Sequence, residues 1–297
     1  MSLFDRLVDQ ALSHLTELAP LRVVVEKELL HHDILRVLSD AGLLAQLCFI
    51  GGTCLRACYG SNRLSEDLDF TGGAHFQRED LKQLKALLQG NLHTKYGLDV
   101  EVAEPAREEG NVDTWKLKVQ TRPGARNLPA QRIHIDICAI PSYLPRPMVL
   151  LNPYGVDMGT QGLVLRAQAL EEIFVDKVLA FALRRGRIKN RDLWDLLWLE
   201  QQRVKPRFDL IGAKLNDHKT TIETFVRNAN ERAQLLVENP ETQLDFRHEM
   251  RRFLPASIAL ETVENDAFWE YLQGQVPAII GRAVASLEPS EGPRFSM

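Results

Sequence analysis

The chain is poor in cysteine, with four in 297 residues, at Cys48, Cys54, Cys58 and Cys138. Four thiols cannot staple a chain this long, which excludes a disulfide scaffold. Cys54 and Cys58 share a face if their stretch is helical, but no Cys/His pair at metal spacing completes a zinc set. All four read as small buried thiols. No apolar run approaches the ~20 residues that span a bilayer, so no membrane association is expected. The opening stretch, MSLFDRLVDQALSHL, has no basic segment followed by an apolar one and reads as that of a cytoplasmic protein. Positive charge is not in excess either. There are 36 Lys and Arg against 40 Asp and Glu, a net charge of −4, which excludes a generally basic nucleic-acid coat protein. Neither an internal repeat nor a low-complexity tract is visible.

Hydrophobic residues make up 45% of the chain and charged residues 26%, the balance of a folded globular protein with a sizeable core. The charge is uneven. Between Arg184 and Arg207 stand eight basic residues against Asp192, Asp195 and Glu200, so that segment carries +5 and the remainder −9. One local phosphate-attracting surface on an acidic chain follows.

Residues 3–18 and 21–45 read as amphipathic helices, and Leu47–Ile50 as a short buried strand ended by Gly51-Gly52. Thr53 to Tyr59 reads as a short helix with Thr53 as its N-cap. Residues 67–70, 98–102, 114–120 and 132–138 alternate as strands, with a helix over 76–96. The segment 141–160, rich in Pro, Gly and Asn, reads as a linker or long loop. Helices are expected at 168–185, 191–202, 208–237, 243–253 and 257–284, and the last dozen residues are expected to fray. The expected fold class is α+β, a mixed sheet with helices followed by an all-α carboxy-terminal half. The expected domains are 1–155 and 156–297. His31 and His32, adjacent on a helix, cannot face one metal and read as surface residues. Trp115, Trp194 and Trp198 read as core.

The informative stretch is FIGGTCLRACYGSNRLSEDLDF, residues 49–70. A buried strand delivers two glycines, whose missing Cβ lets backbone N–H groups approach a phosphate. A helix N-terminus follows and favours anions. Thr53 and Ser65 add hydroxyl donors. Asp67 and Asp69, two apart on a strand, present both carboxylates to one face. Paired carboxylates repel and call for a cation, and hard oxygen ligands suit Mg2+. Phosphate donors beside such a pair describe metal-assisted phosphoryl or nucleotidyl transfer. Each element alone is weak, and the ordered combination is specific. On the 132–138 strand, Asp136 shares a face with His134 and Cys138, opposite Ile133, Ile135 and Ile137.

This stretch resembles the DNA polymerase β-like nucleotidyltransferase superfamily, and GGTCLR…RLSEDLDF is similar to the AbiEii/AbiGii toxin family of abortive-infection and toxin–antitoxin nucleotidyltransferases. EEIFVDKVLAFALR at 171–184 and NRDLWDLLWL at 190–199 match that family's later helical motifs, so the likeness runs over about residues 24–200. Glu26-Lys27-Glu28 stands where the family often shows Glu-Lys-Asp, so Glu28 is a departure. The resemblance implies the following roles. Gly51, Gly52, Thr53, Arg63 and Ser65 bind the nucleotide. Asp67, Asp69 and Asp136 hold Mg2+ or Mn2+, and Asp136 also helps to activate the attacking hydroxyl. Lys177 binds the triphosphate and offsets charge that develops in transfer. Arg184, Arg191 and Asp192 belong to the nucleotide site, and Asp195 to catalysis. The helical domain would complete the active-site cleft. The implied substrate is an NTP, the favoured acceptor a tRNA 3′ end, and the cellular partner an antitoxin. Two other readings stand beside it: nucleotidylation of a protein or small molecule, and a non-catalytic nucleotide-binding module.

Overall fold

In the computed structural model, residues 2–106, 110–122 and 130–288 are described. Most of the tail expected to fray, and most of the loop after Gln120, lie outside them. By its internal contacts the chain divides into Met1–Ala169 with Arg251–Ala259, and Leu170–Met250 with Leu260–Met297.

The first unit opens with α1 (Leu3–His14), started by a reciprocal capping box between Ser2 and Asp5. α2 (Arg22–Asp40) is buried nearly all round, including Glu26, Glu28, His31, His32 and Asp33. β1 (Cys48–Ile50) runs directly into α3 (Gly51–Tyr59). There follow β2 (Leu68–Thr71), α4 (Leu84–Tyr96), β3 (Val100–Ala103), β4 (Val112–Val119), β5 (Gln131–Cys138), β6 (Pro145–Val149) and β7 (Val164–Gln168). The strands form one mixed sheet in the order β3-β4-β5-β2-β1-β7-β6. One face is core: Phe49, Leu68, Phe70, Trp115, Leu117, Ile133, Ile135 and Ile137 are buried, and the Phe49 and Phe70 rings lie 5.1 Å apart. The strand alternation at 112–119 and 131–138 is what sequence periodicity predicts, apolar inward and polar outward.

Three expectations are corrected in this unit. The segment 141–160 is not a linker. It contains β6, which pairs with β7 from Pro145–Gln168 to Val149–Val164, so the expected boundary at 155/156 falls between two paired strands. α3 starts at Gly51 with Ile50 as its cap residue, because the Thr53 hydroxyl is engaged elsewhere. His31 and His32 are buried rather than on the surface. His31 Nε2 lies 3.0 Å from the Glu66 carbonyl and His32 Nδ1 lies 2.9 Å from Thr160 Oγ1. Burial pushes the His31 pKa down to about 3 and that of His32 to about 4. Cys48, Cys54 and Cys58 are buried and, among the described residues, form no disulfide.

The second unit is helical: α5 (Leu170–Leu183), α6 (Asn190–Gln201), α7 (Ile211–Asp217), α8 (Ile222–Glu238), α9 (Glu241–Met250), α10 (Ala256–Glu261, begun in the first unit) and α11 (Asp266–Ala285). The single helix expected over 208–237 is two. Lys219 has φ +54, and Thr221 caps α8 by accepting from the Thr224 N–H at 3.2 Å. Asn265 likewise caps α11 and divides the helix expected over 257–284. Trp194 and Trp198 on α6 are core, as is Trp115 in the first unit. No helix among the described residues is long and apolar enough to cross a membrane.

Candidate active site

β1, β2 and β5 place one group of candidate residues. β2 and β5 are parallel, and Asp69 stands in register with Asp136, on the face opposite Phe70 and Ile135. Asp136 Oδ1 is buried without a hydrogen-bond partner, and a buried bare carboxylate oxygen is costly unless a cation meets it. Asp67 lies one residue before β2. Its Oδ1 accepts from the His134 N–H at 3.0 Å, with the His134 ring nitrogen 3.5 Å away. Asp69 and Asp136 therefore fit a divalent cation by oxygen chemistry. Asp67 is tied by one oxygen to β5. No group of three His, Cys, Asp or Glu among the described residues stands in metal-holding geometry.

The glycine turn meets these carboxylates closely. Gly51 has φ +75, and a Cβ there would lie 2.7 Å from Asp69 Oδ2. A Cβ on Gly52 would press on the end of the Arg63 side chain, which is itself buried. Gly51, with its left-handed backbone, requires glycine before any ligand is considered. Thr53 and Ser65 are buried, and their hydroxyls lie 2.7 Å apart. The Thr53 hydroxyl also donates to the Asp67 carbonyl. These hydroxyls lock the segment from Ser65 to Asp67 onto α3.

Glu28 explains its own departure from aspartate. Its carboxylate accepts from the Ser65 N–H at 2.8 Å, from Arg56 Nε at 3.2 Å and from the Tyr154 hydroxyl. The longer side chain reaches three groups on three segments. Burial opposes the charge on Arg56, but Glu28 and Tyr154 outweigh it and raise its pKa. The same burial pushes the Tyr154 hydroxyl up. Arg56 and Tyr154 are functional-site supports that no sequence spacing announced. The one signal was the Glu28 substitution itself.

In the second unit, α5 and α6 bring together Lys177, Asp192 and Asp195. Lys177 Nζ lies 2.7 Å from an oxygen of each aspartate, and all three side chains are buried. Arg184 lies 3.4 Å from the other Asp192 oxygen, so the i, i+7 spacing of Lys177 and Arg184 converges on one carboxylate. Arg191 lies 3.7 Å from Glu249, which also takes Asn190. The loop after α5 is fixed by Arg232, which donates to the Arg184 and Gly186 carbonyls.

The comparisons with known proteins bear on the family and the fold. The family described as nucleotidyl transferase AbiEii toxin, type IV toxin–antitoxin system, matches residues 33–274. Among solved structures, MenT4, a nucleotidyltransferase toxin of Mycobacterium tuberculosis H37Rv, is similar at TM-score 0.54 and 20% identity, covering 96% of this chain and 99% of that one. JHP933 of Helicobacter pylori is similar at TM-score 0.50 and 16% identity, over 89% and 93%. At these identities the structures speak for the fold. No curated protein matches by sequence. The match over most of the chain settles the family: this protein belongs to the AbiEii nucleotidyltransferase toxins of type IV toxin–antitoxin systems.

Proposed function

We propose that the chain transfers a nucleotidyl group from an NTP to the 3′-terminal hydroxyl of tRNA, in a reaction that requires a divalent cation, and so blocks translation. The observation that carries this reading is the Asp69–Asp136 register pair with its bare buried oxygen, beside a glycine turn that opens a helix. Asp69 and Asp136 would hold a divalent cation, with Asp67 joining as a third ligand only on binding, and the cation would supply Lewis-acid charge to the phosphate oxygens. Gly51 and Gly52 present backbone N–H groups of the α3 N-terminus to the phosphates. Thr53, Ser65 and Arg63 hold that turn and the Ser65–Asp67 segment in place. Asp136 accepts the proton of the attacking hydroxyl. The acceptor oxygen bonds to the α-phosphorus in line, the bond from that phosphorus to the β-phosphate bridging oxygen breaks, and pyrophosphate leaves. Within the second unit Asp192 and Asp195 hold Lys177, the residue to which the family resemblance gives the triphosphate charge, with Arg184 and Arg191 as further cations of that unit.

The test is incubation with total tRNA, Mg2+ and each α-labelled NTP in turn, for the wild type and Asp69→Ala. Label on tRNA with the wild type alone is the expected result, and Asp69→Ala also loses growth inhibition while its circular dichroism is unchanged. Label on a protein or small molecule would replace tRNA as the acceptor. Full activity in Asp69→Ala would remove the carboxylate pair from the reaction.

A further inference from the structure

The carboxylates stand at one end of a longer exposed sheet face. On β5 the outward residues are Arg132, His134, Asp136 and Cys138, and on β4 they include Thr114, Lys116 and Lys118. The register places Lys118 opposite Arg132, Lys116 opposite His134, and Thr114 opposite Asp136. Two rungs of basic side chains therefore lead, rung by rung, to the carboxylate pair. Successive rungs on one face are about 6.6–6.8 Å apart along a strand, close to the step between phosphates of a single nucleic-acid strand.

This pattern costs the fold stability. Like charges directly opposite on antiparallel strands destabilise the pair. Edge protection does not account for it, because β4 and β5 are interior strands. Glu101 on β3 meets Lys118 at 2.9 Å. No ion pair among the described residues engages Lys116 or Arg132, and both are exposed. The glycine turn follows β1, on the other side of β2 from this ladder. Asp69 and Asp136 thus lie between a turn suited to the donor phosphates and a row of cations suited to a second polyanion.

We propose that Lys116, Lys118, Arg132 and His134 form the track for the phosphodiester backbone of the acceptor strand, leading its 3′ end to Asp136. This rests on the nucleic-acid reading of the site. Phosphate contacts of this kind position a strand without reading its sequence, so the track is indifferent to the bases that pass over it.

The test uses the full chain and total tRNA, with fluorescence anisotropy across a KCl series without NTP, and label transfer at varied tRNA. Lys118→Ala/Arg132→Ala should weaken tRNA binding about tenfold and flatten the slope of log affinity against log salt by roughly 1.5. The KM for tRNA rises to match, while kcat at saturating tRNA and the KM for NTP stay unchanged. Glu101→Gln releases Lys118 and should tighten binding, a direction that loss of structure does not produce. Lys85→Ala, an exposed lysine on α4, should change nothing. Unchanged binding and salt slope in the double variant, with the wild type still extending tRNA, would overturn the track alone. A wild type that neither binds nor extends any RNA would overturn the function and the track together.

Discussion

Gly51 and Gly52 fix how closely the α3 turn approaches Asp69 and Arg63. The left-handed backbone at Gly51 disfavours any other residue by about 1–2 kcal/mol. The close approach of Asp69 adds a second penalty that falls on the site rather than on the fold. Gly51→Ala should therefore lower the melting temperature modestly but reduce transfer roughly 100-fold, because it displaces the Asp69 carboxylate. Parallel melting and label-transfer measurements check this, and equal proportional losses would contradict it. At this scale the sequence was legible where a motif has a mechanism. The Gly-Gly turn, Asp69 and Asp136 lie where residue type and spacing predict. Asp67 differs because its bond to the His134 N–H depends on how β2 and β5 pair, which no local pattern encodes. His31 and His32 were unreadable for a related reason. Their partners, Glu66 and Thr160, are distant in sequence.

At the scale of elements, buried ion clusters fix α5 on both sides of its turn. Lys177 joins α5 to α6 through Asp192 and Asp195. Lys214 joins α7 to α5, 2.7 Å from both Glu172 and Asp176. Burial works against the Lys214 charge, and the two carboxylates outweigh it and raise its pKa. Lys214→Met strands the fully buried Glu172 and should cost about 3–5 kcal/mol. Lys214→Met/Glu172→Gln should recover much of that, because Asp176 is partly exposed and tolerates solvent. Urea denaturation of both variants measures it, and equal losses would contradict the account. Sequence periodicity found α5 and α6 well, since both carry strong apolar patterns. It fused α7 with α8 and α10 with α11, because the caps at Thr221 and Asn265 interrupt otherwise continuous helical composition. It also read β6 as loop, because an edge strand with two prolines lacks the alternation that marks a strand.

For the whole molecule, the buried histidines tie folding to pH. Both are neutral in the fold, with pKa values near 3 and 4, against ~6.5 when unfolded. Between those values the unfolded chain binds protons that the folded chain does not. Their contribution is complete above about pH 6.5 and is lost as the pH falls through that window, at about 1.4 kcal/mol per pH unit for each histidine. His31→Gln, which keeps a donor for the Glu66 carbonyl, should remove one such proton and flatten the stability profile between pH 4 and 6 by about that amount. Denaturation midpoints across that range test this, and an unchanged slope would contradict it. The division of the chain was the part least visible in sequence. Residues 251–259 belong with the first unit, where the Leu64 N–H donates to the Phe253 carbonyl at 2.8 Å, and no composition shift marks that return.

The central claim is that this site joins a nucleotide to an RNA 3′ hydroxyl. The most direct measurement gives the wild-type protein one α-labelled NTP, Mg2+ and two tRNA pools, one intact and one with its terminal ribose opened by periodate. The account predicts label on the intact pool and none on the oxidised pool. Equal labelling of both, or label only on protein, would contradict it.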